Sequence, residues 1–250
     1  MKAVILAAGY DGRLRPQVDH APKALLPVAG VPILRRTLTL LLRAGVDQVV
    51  IVVGHLHLHI RAAVARWFPH LDVTFVENAD HATTSTAASL ALAAPHVGAR
   101  PFFLVDGDVV FDAEVLTRLF DGGPDAIAVR SVGSLGLEEV KVTADASDRV
   151  VALGKDVPIR GAMGESVGIQ LLSAATARKL FAALAASPHG DAYYEAFLQQ
   201  LVDDGVALHA VDLGSLYACE IDTPDDLRIA DEQLARRPAF DARPGLRIAV

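Results

Sequence analysis

Unbroken apolar runs constrain this chain more than any other feature of it. Val49 to Val53 is apolar at every position, and Ala3 to Leu6 and Phe102 to Val105 are equally continuous. Strands buried on both faces of a parallel sheet read this way, whereas half-exposed strands alternate. Helix-length segments separate the runs. Leu34, Leu38, Leu41 and Leu42 share one face of a helix that opens at Val31-Pro32-Ile33 and stops at Gly45. Further helices are expected over roughly Leu58 to Phe68 and Ser85 to Ala94, with a strand around Val73 to Val76 between them. This alternation implies right-handed crossovers and an α/β fold, a Rossmann-like three-layer α/β/α sandwich with a mostly parallel mixed sheet. Ligands of such sheets bind beyond the carboxyl ends of the strands.

The second half reads differently. Ala126 to Arg130, Val140 to Thr143 and Val150 to Leu153 are expected strands of an antiparallel excursion, with a turn at Asp145-Ala146-Ser147-Asp148. Val167 to Leu172 is another strand. Helical patterns cover roughly Ala174 to Ala186 and Ala192 to Asp203. A strand from Val206 to Val211, a short segment from Tyr217 to Ile221 and a helix after Thr223-Pro224 follow. No repeat or linker interrupts the pattern. Residues 1–236 are therefore expected to form one domain, and 237–250 a C-terminal tail that packs on the body or mediates a homo-oligomer.

A chain of 250 residues is long enough for one large, well-covered core. Its formal charge of −7 argues against a nucleic-acid partner, so cations clustered near the N-terminus must serve a local purpose. No apolar run approaches the length of a membrane span and the chain enters a strand at once, so no membrane insertion is expected. Cys219 is the single cysteine, which excludes an internal disulfide and points to a reducing cytoplasm.

Those cations follow the first apolar run, which ends in Ala7-Ala8-Gly9. Small residues directly after a buried strand let backbone N–H groups approach a phosphate or a base closely. Arg13, Arg15 and Lys23 come next, on a loop held by Pro16, Pro22 and Pro27. This stretch resembles the signature of the nucleotidyltransferases that activate sugar phosphates and small phospho-alcohols, L-A-A-G-x-G-[ST]-R-L followed by P-K-x-L. Leu6-Ala7-Ala8-Gly9, Arg13-Leu14 and Pro22-Lys23-Ala24-Leu25 match it. Asp11 stands where the second glycine is usual, and Gly12 where Ser or Thr is.

Three later stretches extend the resemblance. Asp106-Gly107-Asp108 ends a buried strand; an isolated pair of this kind serves equally well as turn or cap residues. In the family, Asp108 matches an acidic metal ligand, with Asp106 facing the neighbouring nucleotide site. Glu220-Ile221-Asp222-Thr223-Pro224-Asp225-Asp226 reads locally as a capped helix start. It is also similar to the E-I-D-[ST] motif of the cytidylyltransferase branch, which makes Asp222 the second metal ligand and Glu220 a lesser candidate. Asn78 to Leu90, with Thr84, Ser85 and Thr86 at a helix start, resembles the phosphocholine and phosphonate cytidylyltransferases, where hydroxyls and N–H groups read the base or a phosphate. The plainer reading is a helix cap. Lys155 and the Gly164-Glu165-Ser166 segment fall where the family receives its acceptor: Lys155 for the phosphate, Glu165 for a cationic group on the acceptor, unless Glu165 is a solvent-facing turn residue. His55, His57 and His59 invite a zinc reading, but alternate spacing entering a helix does not aim three rings at one point.

The resemblance implies an enzyme that transfers CMP from CTP to a small phosphorylated or phosphonylated alcohol and releases pyrophosphate. Lys23 and Arg13 would be catalytic. Leu6, Ala7, Ala8, Gly9, Gly12, Arg13, Asn78, Thr84, Ser85 and Asp106 would hold the nucleotide, Lys155, Glu165 and Ser166 the acceptor, and Asp108, Asp222 and Glu220 a Mg²⁺ ion. Two alternatives stay open at this point: a sugar-1-phosphate nucleotidyltransferase using UTP or dTTP, and a nucleotide-binding module without catalysis.

Overall fold

The computed structural model describes the chain apart from residues 11, 99, 134, 188–189, 238 and 242–250. Its first half is β1 (Lys2–Ala7), β2 (Pro27–Val28), β3 (Val31–Pro32), α1 (Ile33–Arg43), β4 (Gln48–Val53), α2 (His57–Trp67), β5 (Asp72–Glu77), α3 (Thr86–Val97) and β6 (Phe102–Asp106). β1 pairs in parallel with both β4 and β6, and β4 with β5, so these strands lie in the order β5-β4-β1-β6. Successive β1 side chains enter opposite cores. Ala3 and Ile5 join Leu34, Leu38 and Leu41 of α1, while Val4 and Leu6 join Leu90 and Ala93 of α3. Two apolar faces on one strand require cover on both sides, which is why the runs are unbroken and why there are three layers.

The second half is β7 (Val109–Phe111), α4 (Glu114–Asp121), β8 (Ala126–Arg130), β9 (Lys141–Ala144), β10 (Val150–Gly154), β11 (Gly164–Leu172), α5 (Ala174–Ala186), α6 (Tyr194–Asp203), β12 (His209–Asp212), β13 (Ala218–Glu220) and α7 (Pro224–Ala235). β11 continues the sheet antiparallel to β6 and pairs with β8 along its other edge, while β9 meets the start of β11 at Gly164 and Glu165, on the edge away from β8. Of the three strands expected to form an antiparallel excursion, β9 and β10 pair with each other, but β8 pairs with β11 and, in parallel, with β12. α6 starts at Tyr194 rather than Ala192, whose carbonyl accepts from the Ala87 N–H at the start of α3.

β7 and α4 are not expected from the sequence, and β7 matters most. It pairs antiparallel with β13, Val109 opposite Glu220, and the Ile221 N–H donates to the Asp108 carbonyl at 3.1 Å. Two acidic segments far apart in the chain thus meet at the carboxyl edge of the sheet. Gly107 makes the junction possible, since a Cβ there would lie 2.6 Å from the Leu6 carbonyl oxygen. The described start of the tail packs on α1: the Phe240 ring lies under Arg36 at 4.2 Å, and Arg43 donates to the Asp241 carbonyl at 2.7 Å. The terminal Ile248-Ala249-Val250 lies outside the described residues. Among the described residues no helix is long and apolar enough to cross a membrane.

Candidate active site

A cleft of about 810 Å³ opens at the carboxyl ends of β1 and β6. Leu6, Ala7, Ala8, Gly9, Tyr10, Arg13 and Lys23 form one wall, and Thr84, Ser85 and Thr86 from the start of α3 form another. Asp106, Asp108, Glu220 and Asp222 lie along the floor, and Glu138, Lys155, Tyr193 and Glu195 line the far end. Gly12 is not among the lining residues, and Asp11 lies outside the described residues.

Lys23 holds the centre. Pro22 starts a single 3-10 turn, Lys23–Leu25, which aims the side chain inward. Its ammonium is 11% exposed, lies 2.7 Å from Asp108 Oδ2 and donates a short hydrogen bond to Asp222 Oδ1. Burial pulls the Lys23 pKa down, but the attraction of Asp108 and Asp222 outweighs it and holds the charged form well above the usual lysine range. Arg13 reaches Asp222 Oδ2 at 3.2 Å. The position of Asp222 follows from the helix start after it. Thr223 and Asp226 form a reciprocal capping box, and Asp226 Oδ2 also accepts from the Asp222 N–H at 3.1 Å.

Behind this group the carboxyls are progressively drier. Asp106 accepts from the Tyr194 hydroxyl at 3.1 Å through Oδ2, while its buried Oδ1 meets no donor among the described residues. Burial, then Glu195 and Asp108, push the Asp106 carboxyl well above the usual range. Gly168, at φ +66°, is needed here, because a Cβ would lie 2.4 Å from Asp106 Oδ2. Glu220 is raised by burial and by Asp108, Asp106 and Asp222. Glu195 is pushed up to about 7 by burial, partly offset by its own backbone N–H, Tyr194 and Lys155. Lys155 lies 4.4 Å from the centre of the Tyr193 ring and 3.6 Å from Glu138 Oε2.

Other residues singled out from the sequence lie elsewhere. Glu165 is a buried partner of Arg130, neither lining the cleft nor facing solvent. Burial raises its pKa and Arg130 lowers it. Ser166 is buried beside it and is not among the lining residues. Asn78 stands behind the wall, donating to Thr84 Oγ1 and Ser89 Oγ at 3.0 Å each, and shapes the turn rather than lining the cleft. The Ser85 N–H, expected to face a ligand, donates to the Gly190 carbonyl, and the Ala87 N–H next along donates to the Ala192 carbonyl. The histidines diverge: His55 packs edge-on against Tyr10 at 4.7 Å, His57 lies 3.6 Å from Glu77, and His59 is exposed. Tyr193 and Glu195 escaped the sequence reading because Tyr-Tyr-Glu at a helix start reads as a core aromatic with an acidic first turn.

A domain model described as "MobA-like NTP transferase domain" matches residues 3–206, most of the chain. The chain belongs to that family. This NTP transferase is 36% identical over 245 residues to the CMP-5'-(3-aminopropyl)phosphonate synthase of Streptomyces rubellomurinus, a match covering 92% of the chain and 38% of that longer protein. It is 28% identical over 241 residues to the 2-aminoethylphosphonate cytidylyltransferase of Lancefieldella rimae, covering 96% of the chain and 91% of that protein. The inositol-1-phosphate CTP transferase of T. maritima shares its fold, with a TM-score of 0.82, 23% identity and coverage of 98% and 97%.

Proposed function

We propose that the protein transfers CMP from CTP to a small phosphonate or phosphate acceptor, releasing pyrophosphate. The observation that carries this reading is Lys23 held between Asp108 and Asp222 at the sheet edge, beside a small-residue turn open to a nucleotide. The cytidylyl group and the acceptor class are supported by the similarity to two enzymes named for CMP and cytidylyl transfer with aminoalkyl phosphonates.

In this reaction an acceptor oxygen forms a bond to the α-phosphorus as the bond to the pyrophosphate oxygen breaks, so no protein nucleophile is needed. Positioning and charge neutralisation do most of what a protein does in such transfers. Lys23 and Arg13 rest on carboxylates and exchange them for phosphate oxygens when a triphosphate enters, Lys23 at the α-phosphate and Arg13 toward the β and γ. Backbone groups of Leu6 to Gly9, with Thr84 and Ser85 opposite, hold the nucleoside. Lys155 takes the acceptor's phosphonate.

Six carboxyl side chains line the cleft, Asp106, Asp108, Glu138, Glu195, Glu220 and Asp222, against three cations, Arg13, Lys23 and Lys155. A triphosphate adds more negative charge. Asp108 and Asp222, two hard carboxylates that release their cations to the substrate, fit Mg²⁺, an ion that completes its shell from water and phosphate oxygens. When bound it would neutralise charge on the phosphates. Among the described residues no three ligating side chains converge to hold a metal by themselves.

Pyrophosphate release with CTP, UTP, dTTP, ATP and GTP, each against phosphonates, phospho-alcohols and sugar 1-phosphates, tests the reading. Turnover with CTP and a phosphonate or phospho-alcohol is expected. Turnover confined to sugar 1-phosphates with UTP or dTTP would replace it.

A further inference from the structure

Glu195 is 7% exposed, sits in the first turn of α6 and lines the acceptor end of the cleft. Its buried Oε2 accepts no hydrogen bond among the described residues. A buried oxygen without a donor costs about 1–3 kcal/mol, so a well-placed one marks where a ligand brings the donor. Glu165, another buried glutamate, has Arg130 for that purpose. Among the described residues no such cation is in hydrogen-bonding contact with Glu195.

Its surroundings identify the chemistry. The half-exposed ring of Tyr193 stands beside it, and an ammonium already lies over that ring, the Lys155 Nζ at 4.4 Å. Glu138 reaches the same ammonium at 3.6 Å. The protein's own lysine therefore shows that this corner accepts a primary ammonium flanked by an aromatic face and carboxylates. Lys155 is 34% exposed and weakly held, free to turn toward a phosphonate and vacate the ring.

We propose that Glu195 is the specificity residue for the acceptor, binding a cationic amino group on its distal end beside Tyr193 and Glu138. This rests on the reading that the acceptor is a small phosphonate or phosphate. An acceptor with an anionic head and a cationic tail then spans the far end of the cleft, its head at Lys155 and its tail at Glu195. An apolar tail of the same length, such as propyl, leaves the Glu195 oxygen without a donor and is disfavoured.

The test compares wild-type protein with Glu195→Gln on 2-aminoethylphosphonate and propylphosphonate at saturating CTP. The wild-type protein should prefer the amine in kcat/KM by roughly 10- to 100-fold, the range for one hydrogen bond to a charged group. Glu195→Gln should bring that preference close to one, through acceptor KM, and Glu195→Asp should retain part of it. A preference that survives in Glu195→Gln, or a wild-type protein indifferent to the amine, overturns the assignment. Calorimetric titration with 2-aminoethylphosphonate separates this from the reaction itself. If no nucleotide supports turnover, binding by the wild-type protein that is lost in Glu195→Gln still upholds the amine site, and absence of wild-type binding sinks it.

Discussion

The Lys23 ammonium lies 2.7 Å from Asp108 Oδ2, and the same ammonium bridges to Asp222 across the β7–β13 pair. One cation thus joins the opening loop to both acidic segments. Replacing Lys23 by Ala should lower kcat by about 100-fold or more, the usual loss on removing one group that meets developing charge in a transition state. Asp108→Asn should do the same. Both variants should keep the wild-type far-UV circular dichroism, because the junction retains its backbone pairing. Full activity in either would remove Lys23 and Asp108 from the chemistry.

Glu165 behaves differently. The resemblance suggests an acceptor contact, but the side chain is buried against Arg130 and does not line the cleft. Glu165→Gln leaves a partly buried guanidinium without its counter-charge and should cost about 1.5–3 kcal/mol of stability in chemical denaturation, the range for a hydrogen bond to a charged group. Acceptor KM should stay at the wild-type value. A large rise in acceptor KM without loss of stability would return Glu165 to the binding site.

The parallel half of the fold was legible because strands covered on both faces have to be apolar throughout. Ala3 to Leu6, Val49 to Val53 and Phe102 to Val105 could hardly be anything else. β7 and β13 were not legible as a pair. Each is three residues long, and nothing local in Val109–Phe111 or Ala218–Glu220 says that the two meet. The adjacency of Asp108 and Asp222 was available only through motif resemblance. Lys155 stood out as a cation after a strand and a glycine, but its partners Tyr193 and Glu138 come from other elements. The Asn78 amide and the Ser85 N–H carried expectations that neighbouring turns absorb instead, since a helix start satisfies its donors with whatever acceptor packs there first, while the Ser85 side chain stays on the cleft wall.

Lys141 is 1% exposed, and its ammonium donates to three carbonyls of one loop, Gly136 at 3.4 Å, Leu137 at 3.2 Å and Glu139 at 2.9 Å. That loop carries Glu138 into the cleft. Lys141→Met fills a similar volume but leaves the carbonyls unpaired. Amide hydrogen exchange over residues 136–140 should quicken by roughly tenfold, the equivalent of one hydrogen-bonded group lost. Acceptor KM should rise more than kcat falls. Unchanged exchange in that loop would show that its shape does not depend on the buried ammonium.

Glu195 should also leave a mark on stability. Burial raises its pKa from the ordinary 4.5 to about 7 in the folded protein. Below pH 4.5 the group is protonated in both folded and unfolded chains and has no effect on the balance. Between 4.5 and 7 the folded protein holds a proton that the unfolded chain releases. Stability therefore falls as pH rises through this window and stays low above it. The full penalty above pH 7 is about 3 kcal/mol, at 1.36 kcal/mol for each pKa unit. Glutamine carries no such penalty, so Glu195→Gln should melt higher than wild type at pH 8 and at nearly the same temperature at pH 4.5. Asp106, which Glu195 helps to push up, is relieved of that repulsion in Glu195→Gln, so the difference between the two melting curves reports Glu195 together with its effect on Asp106. A carboxylate kept at the expense of stability is what a ligand-binding group should look like. A gap in Tm that does not widen between pH 4.5 and pH 8 would mean that Glu195 titrates in the ordinary glutamate range and that its burial has no cost for a ligand to relieve.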